Sequence, residues 1–577
     1  MSTNAMNWSS DAIAEMLRRL EIEFVSLVPG SSFRGLHDSI VNYLGNERPQ
    51  LLICLHEEHA VAIAHGYAKV TGRPMAAAVH ANVGLMHATM AIYNAWCDRQ
   101  PVLILGATGP VDAAKRRPWI DWIHTARDQG ALVRSYVKWD EQPASAQAAV
   151  DAIARAAKLA CEEPRGPAYL CFDVSMQEEA LAEPPRFPDL ARRGSAKAGD
   201  PNPSDLDRAV EALRAARKPV LLVGRVSSDD DDWQLRVALA ESLSANVLTD
   251  LKLAAAFPTN HPLHAAPPIF FLSDAAKDVV RKADVVLSLD WLDLGGTLAQ
   301  VWSDAAPAAT VISASLDERL ANGWSYDHQA PADIDIDLGC GPDAAVRALC
   351  DRLNVTQKPA PAAQSATALQ VSQASGPINL HRLAQAVALA RGDRKISLLR
   401  VPIGWPGEIY PFGEPLDYLG YDGGAGVGSG PGMAVGCALG LRNSGRIPIA
   451  VLGDGDFLMG AMALWTAAHH KIALLIVVAN NRSYFNDELH QERIARQRGR
   501  PVENRWIGQR LDDPPVDIPA LARSMGLAAP DTVDRAEELE DALEDAISLV
   551  EKGHSVVLDV VIDPGYADDA MSKSETS

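Results

Sequence analysis

Apolar runs of strand length alternate with segments of helical period along the whole chain. Residues 24–28, 75–80, 102–106, 220–224, 285–289, 447–452 and 474–479 are the clearest runs. Buried runs separated by helices predict parallel sheets, because a parallel crossover needs a helix and buries its strands on both faces. The pattern lapses twice. Residues 183–204 (EPPRFPDLARRGSAKAGDPNPS) and 357–377 (QKPAPAAQSATALQVSQASGP) are rich in Pro, Gly, Ala and Ser, which suits exposed connections. The chain therefore reads as three α/β domains with parallel sheets flanked by helices, residues 5–182, 204–355 and 378–565. A Ser-rich, acidic tail, 566–577, follows.

Composition removes several classes of function. The 577 residues carry a net charge of −21, which leaves no broad basic footprint for nucleic acid. A local pocket can still oppose that field for a small anion. The seven cysteines form no CxxC pair and no zinc spacing, so reduced thiols are expected. No run of about 18 apolar residues predicts a membrane span. The N-terminus has no basic segment followed by an apolar one, so no signal peptide is expected and the cytoplasm is the expected location.

The strongest chemical signal is Gly453-Asp454-Gly455, followed by Asp456 and separated by the 24 residues 456–479 from Asn480-Asn481. An apolar run precedes each motif, and a helical stretch is expected over 461–470. Strand, loop, helix, strand places both polar loops at the carboxyl ends of parallel strands, where open α/β sheets bind ligands. Asp454 offers a carboxylate, Asn481 an amide oxygen and Ser483 a backbone carbonyl, an oxygen set suited to Mg²⁺. Glycines let backbone NH groups approach a diphosphate. GDG by itself is also a common turn; the spacing to the Asn pair makes the combination specific.

With that spacing, the segment resembles the diphosphate-binding motif of thiamine-diphosphate-dependent enzymes. The stretch ALWTAA, 463–468, is similar to a helix of benzoylformate decarboxylase. The resemblance implies the family's fold, in pyrimidine, middle and diphosphate domain order, with Asp454, Asn481 and the Ser483 carbonyl as metal ligands. It implies Gly453, Gly455 and Asp456 beside the cofactor. Upstream, GGAGVGSGPGMAVG (423–436) is similar to the segment that holds the aminopyrimidine. Val427 then falls at the wedge position, and the Ala425 carbonyl accepts from the 4′-amino group.

The second signal is HEEHAVAIAHGYA, 56–68. On a helix Glu57 shares a face with Val61, Ala64 and Ala68, whereas Glu58 lies with Ala62, His65 and Lys69 on the wetter side. A carboxylate on an apolar stripe is costly unless paired or protonated. A salt-bridged structural Glu is one reading. The resemblance offers another, since the family carries a Glu nine residues before the Gly of a GYA motif, where it hydrogen-bonds N1′ of the cofactor. Because Glu57 and Asp454 lie in different domains, the resemblance also implies a site shared between two subunits, hence an obligate homodimer and a homotetramer of two such dimers.

Candidate substrate residues follow by the same comparison. Ser31, in Pro29-Gly30-Ser31, matches a carboxylate-binding serine, and His80 matches a first-domain active-site histidine. Asp487 stands where pyruvate decarboxylases carry a catalytic Glu. On the residues alone they are equally a turn serine, a structural histidine and a solvated helix residue. Tyr484 and His490 are placed near the same pocket; Trp119, Trp122 and His124 read equally as part of a lid or entrance and as packing. Arg400 replaces a residue usually acidic or polar on the substrate side. The middle segment shows no flavin pattern, and 339–344 reads as a helix start. The expectation is a thiamine-diphosphate- and Mg²⁺-dependent 2-oxo acid decarboxylase taking a small 2-oxo acid or aldehyde. The alternatives are an acetolactate synthase-like carboligase and a 2-hydroxyacyl-CoA lyase.

Overall fold

The computed structural model describes residues 5–193, 199–303, 305–320, 332–355 and 376–563. The expected tail and most of the second linker lie outside them. Three parallel sheets form the frame. The first contains β1 (Phe24–Leu27), β2 (Gln50–Ile53), β3 (Met75–Val79), β4 (Val102–Thr108), β5 (Trp139–Glu141) and β6 (Ala168–Asp173), in the order β2-β1-β3-β4-β6-β5. The second contains β7 (Pro219–Val223), β8 (Asn246–Leu248), β9 (Val285–Leu289), β10 (Thr310–Ala314) and β11 (Ile336–Asp337), in the order β11-β10-β9-β7-β8. The third runs β12 (Ile396–Arg400), β13 (Ile447–Gly453), β14 (Leu474–Asn480), β15 (Ser555–Val561). β3, β4, β7, β9 and β14 are buried at every position, which is why they read as continuous apolar runs. Among the described residues no helix is long and apolar enough to cross a membrane.

The first and third domains share one buried cluster, in which Val61 and Ala64 accompany Met433, Val435 and Cys437. It forms where the helices Glu57–Thr71 and Gly430–Gly440 cross. The crossing needs glycine on both sides. A Cβ at Gly66 would lie 2.2 Å from the Met433 carbonyl oxygen, and one at Gly436 would lie 2.0 Å from that of Ile63. A second tie joins the same domains: Ile53 N donates to His470 Nε2 at 3.0 Å, and Thr466 Oγ1 donates to the Ile53 carbonyl at 3.0 Å.

This seam corrects the expected faces of the Glu57 helix. The side carrying Glu58, His65 and Lys69 is not wet. His65 Nε2 lies 2.7 Å from the Asp98 carboxylate, Lys69 Nζ donates to the Tyr421 carbonyl at 2.7 Å, and Ser429 Oγ donates to Glu58 at 2.9 Å. The polar face is buried against another domain, and amphipathic patterning cannot distinguish that from solvent.

Candidate active site

β13 and β14 are neighbours in register, with Gly453 opposite Ala479, so their carboxyl ends open on one side. The helix after β13 begins earlier than expected. It starts at Asp454 and runs to Gly460, and a second helix covers Ala463–His469. Asp454 is therefore the first residue of a helix rather than part of a loop. Ser483 N donates both to Asp454 Oδ2 and to Asn481 Oδ1, each at 3.0 Å. The two side-chain oxygens thus converge on one backbone nitrogen, and Arg482, at φ +57°, makes the turn that brings them there.

Burial pushes the Asp454 carboxyl up to about 6, and what opposes that rise is backbone NH groups at Asp454, Gly455, Arg482 and Ser483. A buried carboxylate that has no charged partner among the described residues and converges with an amide oxygen has the chemistry of a hard-cation site. Gly453 faces open space, whereas Gly455 packs on Tyr484, whose ring carbon would lie 2.5 Å from an added Cβ. The donor set and the open backbone at Gly453 fit a metal-bound diphosphate.

A cavity of about 170 Å³ opens here, lined by Val427, Gly453, Asp454, Asn481, Ser483 and Tyr484 among others. Val427 is 45% exposed and stands next to Gly428, whose φ of +108° turns the chain. Ala425 is held at φ +55° with its NH donating to Asp422 Oδ1 at 2.8 Å. Asp456 is largely consumed by the protein. Its Oδ1 accepts from Gly428 N at 2.7 Å and Gly430 N at 3.2 Å, and its Oδ2 lies 3.1 Å from Arg400. Arg400 lines the same cavity, as expected, but its charge is already paired. It is fully buried, paired with Asp422 at 2.6 Å and stacked 4.0 Å over Tyr421. This triad braces the glycine-rich segment against the β13 helix. Asp487 is exposed at the rim, on the first turn of the helix Phe485–Gln497. His490 lies further along and bonds Asn486 at 3.1 Å.

Glu57 and His80 are not in the wall of that cavity. Glu57 is buried at the start of its helix, with Oε2 3.0 Å from His87 Nδ1. His56 caps the same helix and stacks on His87 with ring centroids 4.9 Å apart. His80 lies between β3 and the helix Ala81–Cys97, at whose N-cap it stands and which also carries His87. Its Nδ1 lies 2.9 Å from Ser32 Oγ, and its ring meets His124 edge-on at 4.9 Å. Burial, then His124, lower the His80 imidazole below its usual range, with Arg117 adding to and Glu57 opposing the effect. Ser31 is exposed, and its carbonyl accepts from Arg34 at 3.1 Å; the neighbour Ser32 reaches His80. Trp119 and Trp122 are each 70% exposed beside His124.

Sequence reasoning passed over Ser32, His87 and Asp422. Ser32 differs from Ser31 only by a step along the 3₁₀ turn Ser31–Phe33. The spacing from His80 to His87, two helical turns, was the one available signal for His87. A larger cavity, about 1250 Å³, lies at the ends of β7, β9 and β10, but its central charges pair with one another: Arg225–Asp290 at 3.0 Å, Arg225–Asp317 at 2.8 Å and Arg99–Asp317 at 2.6 Å.

Three parallel sheets, with an oxygen-donor set at the carboxyl ends of the third and a buried glutamate starting a helix of the first domain, define an enzyme of the cofactor-dependent α/β class. Residues 7–132 match the thiamine pyrophosphate enzyme N-terminal TPP binding domain, 206–324 the central domain, and 403–560 the C-terminal TPP binding domain. Together they cover more than two thirds of the chain, which belongs to the thiamine-diphosphate-dependent enzyme family, in the group of decarboxylases and carboligases. Benzoylformate decarboxylase of Pseudomonas aeruginosa is 26% identical over 523 residues, 86% of this chain and 89% of that one. The acetolactate synthase large subunit of Haemophilus influenzae is 22% identical over 96% of this chain and 94% of its own. The same fold occurs in a thiamine diphosphate-dependent 4-hydroxybenzoylformate decarboxylase of Rhodococcus jostii RHA1, with a TM-score of 0.77, 20% identity, and coverage of 97% and 100%.

Proposed function

We propose that the chain is a Mg²⁺-dependent, non-oxidative 2-oxo acid decarboxylase that works as a homodimer or a pair of homodimers. Thiamine diphosphate, when bound, supplies a nucleophilic carbon and an electron sink for the bond beside the carbonyl. Asp454, Asn481 and the Ser483 carbonyl would hold Mg²⁺ and through it the diphosphate. Val427 would support the bend of the cofactor, and the Ala425 carbonyl would accept from its amino group. Glu57 would hold and exchange a proton at the aminopyrimidine N1′, a task suited to a carboxylate shielded from water.

Assembly across two copies is supported by the size and setting of the two half-sites. The 170 Å³ cavity is small beside the roughly 300–1,000 Å³ of complete ligand pockets. Glu57 lies near a helix face that leaves Val83, Met86 and Met90 exposed at 36%, 55% and 36%. An apolar stripe of that kind is what a partner surface covers.

The observation that carries decarboxylation is His80. A half-buried imidazole, lowered below its usual range mainly by burial, sits at a strand end beside the Pro29–Gly30 turn, a setting suited to acid/base work. The test is a panel of aromatic and aliphatic 2-oxo acids with thiamine diphosphate and Mg²⁺, following CO₂, aldehyde and coupled hydroxyketone separately. CO₂ with matching aldehyde supports the proposal. Hydroxyketone as the main product supports the carboligase reading, which the acetolactate synthase likeness favours. No CO₂ from any acid refutes both.

A further inference from the structure

Among the described residues one group of three His, Cys, Asp or Glu side chains brings its ligand atoms within 4.8 Å of one another: His56, Glu57 and His87. Two helices present it. His56 caps the helix that Glu57 starts, and His87 lies on the helix Ala81–Cys97. Gly84, one turn before His87, lets the second helix come close, since an added Cβ there would lie 3.0 Å from Glu57 Oε1. Glu57 Oε2 then stands 3.0 Å from His87 Nδ1, and the His56 ring stacks on that of His87. Such a separation is close to that of two ligands held by one ion at about 2.0–2.1 Å.

The adjoining residues do not compete for this role. Glu58 is taken up by Ser429, which donates to its Oε1 at 2.9 Å, and by His59, whose Nδ1 lies 2.6 Å from its Oε2. His59 is buried in that pairing, whereas His87 is exposed and His56 partly so, which leaves room for an ion and a water. Two imidazoles, one carboxylate and an open fourth position form the donor set of a borderline cation such as Zn²⁺. It differs from the all-oxygen set of Asp454, Asn481 and Ser483, which suits Mg²⁺. Little is given up on binding. His56 Nδ1 accepts from Glu58 N at 3.2 Å, so coordination by His56 costs one long capping bond. Binding through His87 Nδ1 moves the ring hydrogen to Nε2, and the ion takes the place of the hydrogen shared with Glu57.

We propose that His56, Glu57 and His87 form a Zn²⁺ site in the cofactor-free enzyme, and that Zn²⁺ bound there excludes thiamine diphosphate. The site stands on its own geometry. The exclusion rests on the reading of Glu57 as the partner of the aminopyrimidine N1′. With Oε2 on zinc, the remaining oxygen of Glu57 is the one pressed against Gly84, so the carboxylate cannot serve both ligands. The chain then has two metal sites of different chemistry: an oxygen set that retains the cofactor and an imidazole–carboxylate set that keeps it out.

The test uses the full-length chain, freed of cofactor and divalent ions and then supplied with excess Mg²⁺. Zn²⁺ is titrated against a chromophoric chelator, and Co²⁺ is added in parallel as a spectroscopic probe. Wild type should bind one Zn²⁺ per chain and give a visible Co²⁺ band more intense than that of the hydrated ion. His87→Ala and His56→Gln should each weaken Zn²⁺ binding about 100-fold or more, the upper end of what losing even an outer partner of a ligand costs. Asp454→Ala should retain Zn²⁺, which separates this site from the oxygen set. His87 is exposed, so its variant should keep the wild-type circular dichroism. With free Zn²⁺ buffered at about 100 times its Kd, wild type should bind thiamine diphosphate about 100-fold more weakly, and His87→Ala should change less than about twofold. Zn²⁺ binding that survives both histidine variants overturns the site. Binding lost in those variants, with thiamine diphosphate affinity indifferent to Zn²⁺, keeps the site but overturns the exclusion, and with it the placement of Glu57 at N1′.

Discussion

Gly66→Ala sets two effects of opposite sign against each other at the seam that carries Glu57. Helix propensity favours the change, since alanine is better than glycine in a helix interior by roughly 0.8–1.0 kcal/mol. The contact across the seam opposes it. The new Cβ would lie 2.2 Å from the Met433 carbonyl oxygen and 2.8 Å from Cys437 N, against ordinary contact at 3.4 Å or more. Both neighbours are backbone atoms of the facing helix, so neither can swing aside. The helices must separate by about 1 Å, which loosens the shared core around Val61, Ala64 and Met433. Overpacking of this kind costs about 1–3 kcal/mol, and more when backbone has to move, so the net change is a destabilisation of about 1–2 kcal/mol. Urea unfolding of cofactor-free protein, followed by circular dichroism, should show a lower first midpoint. A midpoint equal to or above wild type would mean that propensity prevails and that the crossing is not as close as described.

Glu57→Gln should keep cofactor affinity within a few fold but abolish proton exchange at the thiazolium C2; exchange by NMR at the wild-type rate would remove Glu57 from the chemistry. Asp454→Ala should prevent Mg²⁺-dependent cofactor retention on gel filtration, and full retention would displace the metal site. His470 is lowered to about 4, mainly by burial, and its neutral Nε2 accepts from Ile53 N across the seam. A histidine whose folded value lies below its unfolded one, about 6.5, contributes stability above that pH and loses it as pH falls toward 4. The urea midpoint of wild type should therefore fall between pH 7 and pH 5 more than that of His470→Gln; parallel falls would refute the assignment.

Much of the architecture was legible because parallel strands buried on both faces leave unbroken apolar runs, as at β3, β7 and β14. The Gly453–Asn481 unit was legible because its two polar motifs end adjacent strands. What escaped was contact between distant segments. The Glu58–His65–Lys69 face looked solvated because its partners, Asp98 and Ser429, come from elsewhere in the chain. Arg400 was legible as a change on the substrate side, and it does line the cavity, but its charge is met by Asp422 and Asp456, which periodicity does not connect to it. The helix at Asp454 was set too late because two glycines read as a turn, whereas the buried Asp454 and Phe457 make that turn helical. Ser32, His80 and His124 meet from three separate connections, and no local pattern announces such a meeting.

The shared site is tested most directly by a mixed dimer. Glu57→Gln and Asp454→Ala chains, each inactive alone, carry different affinity tags and are co-expressed, and the heterodimer is isolated through both tags. If Glu57 of one copy serves the Asp454 cradle of the other, one site in the heterodimer keeps both wild-type groups, and about half of the wild-type C2 exchange and CO₂ release returns. A heterodimer as inactive as its parents would show that each chain builds its site alone and would contradict the account.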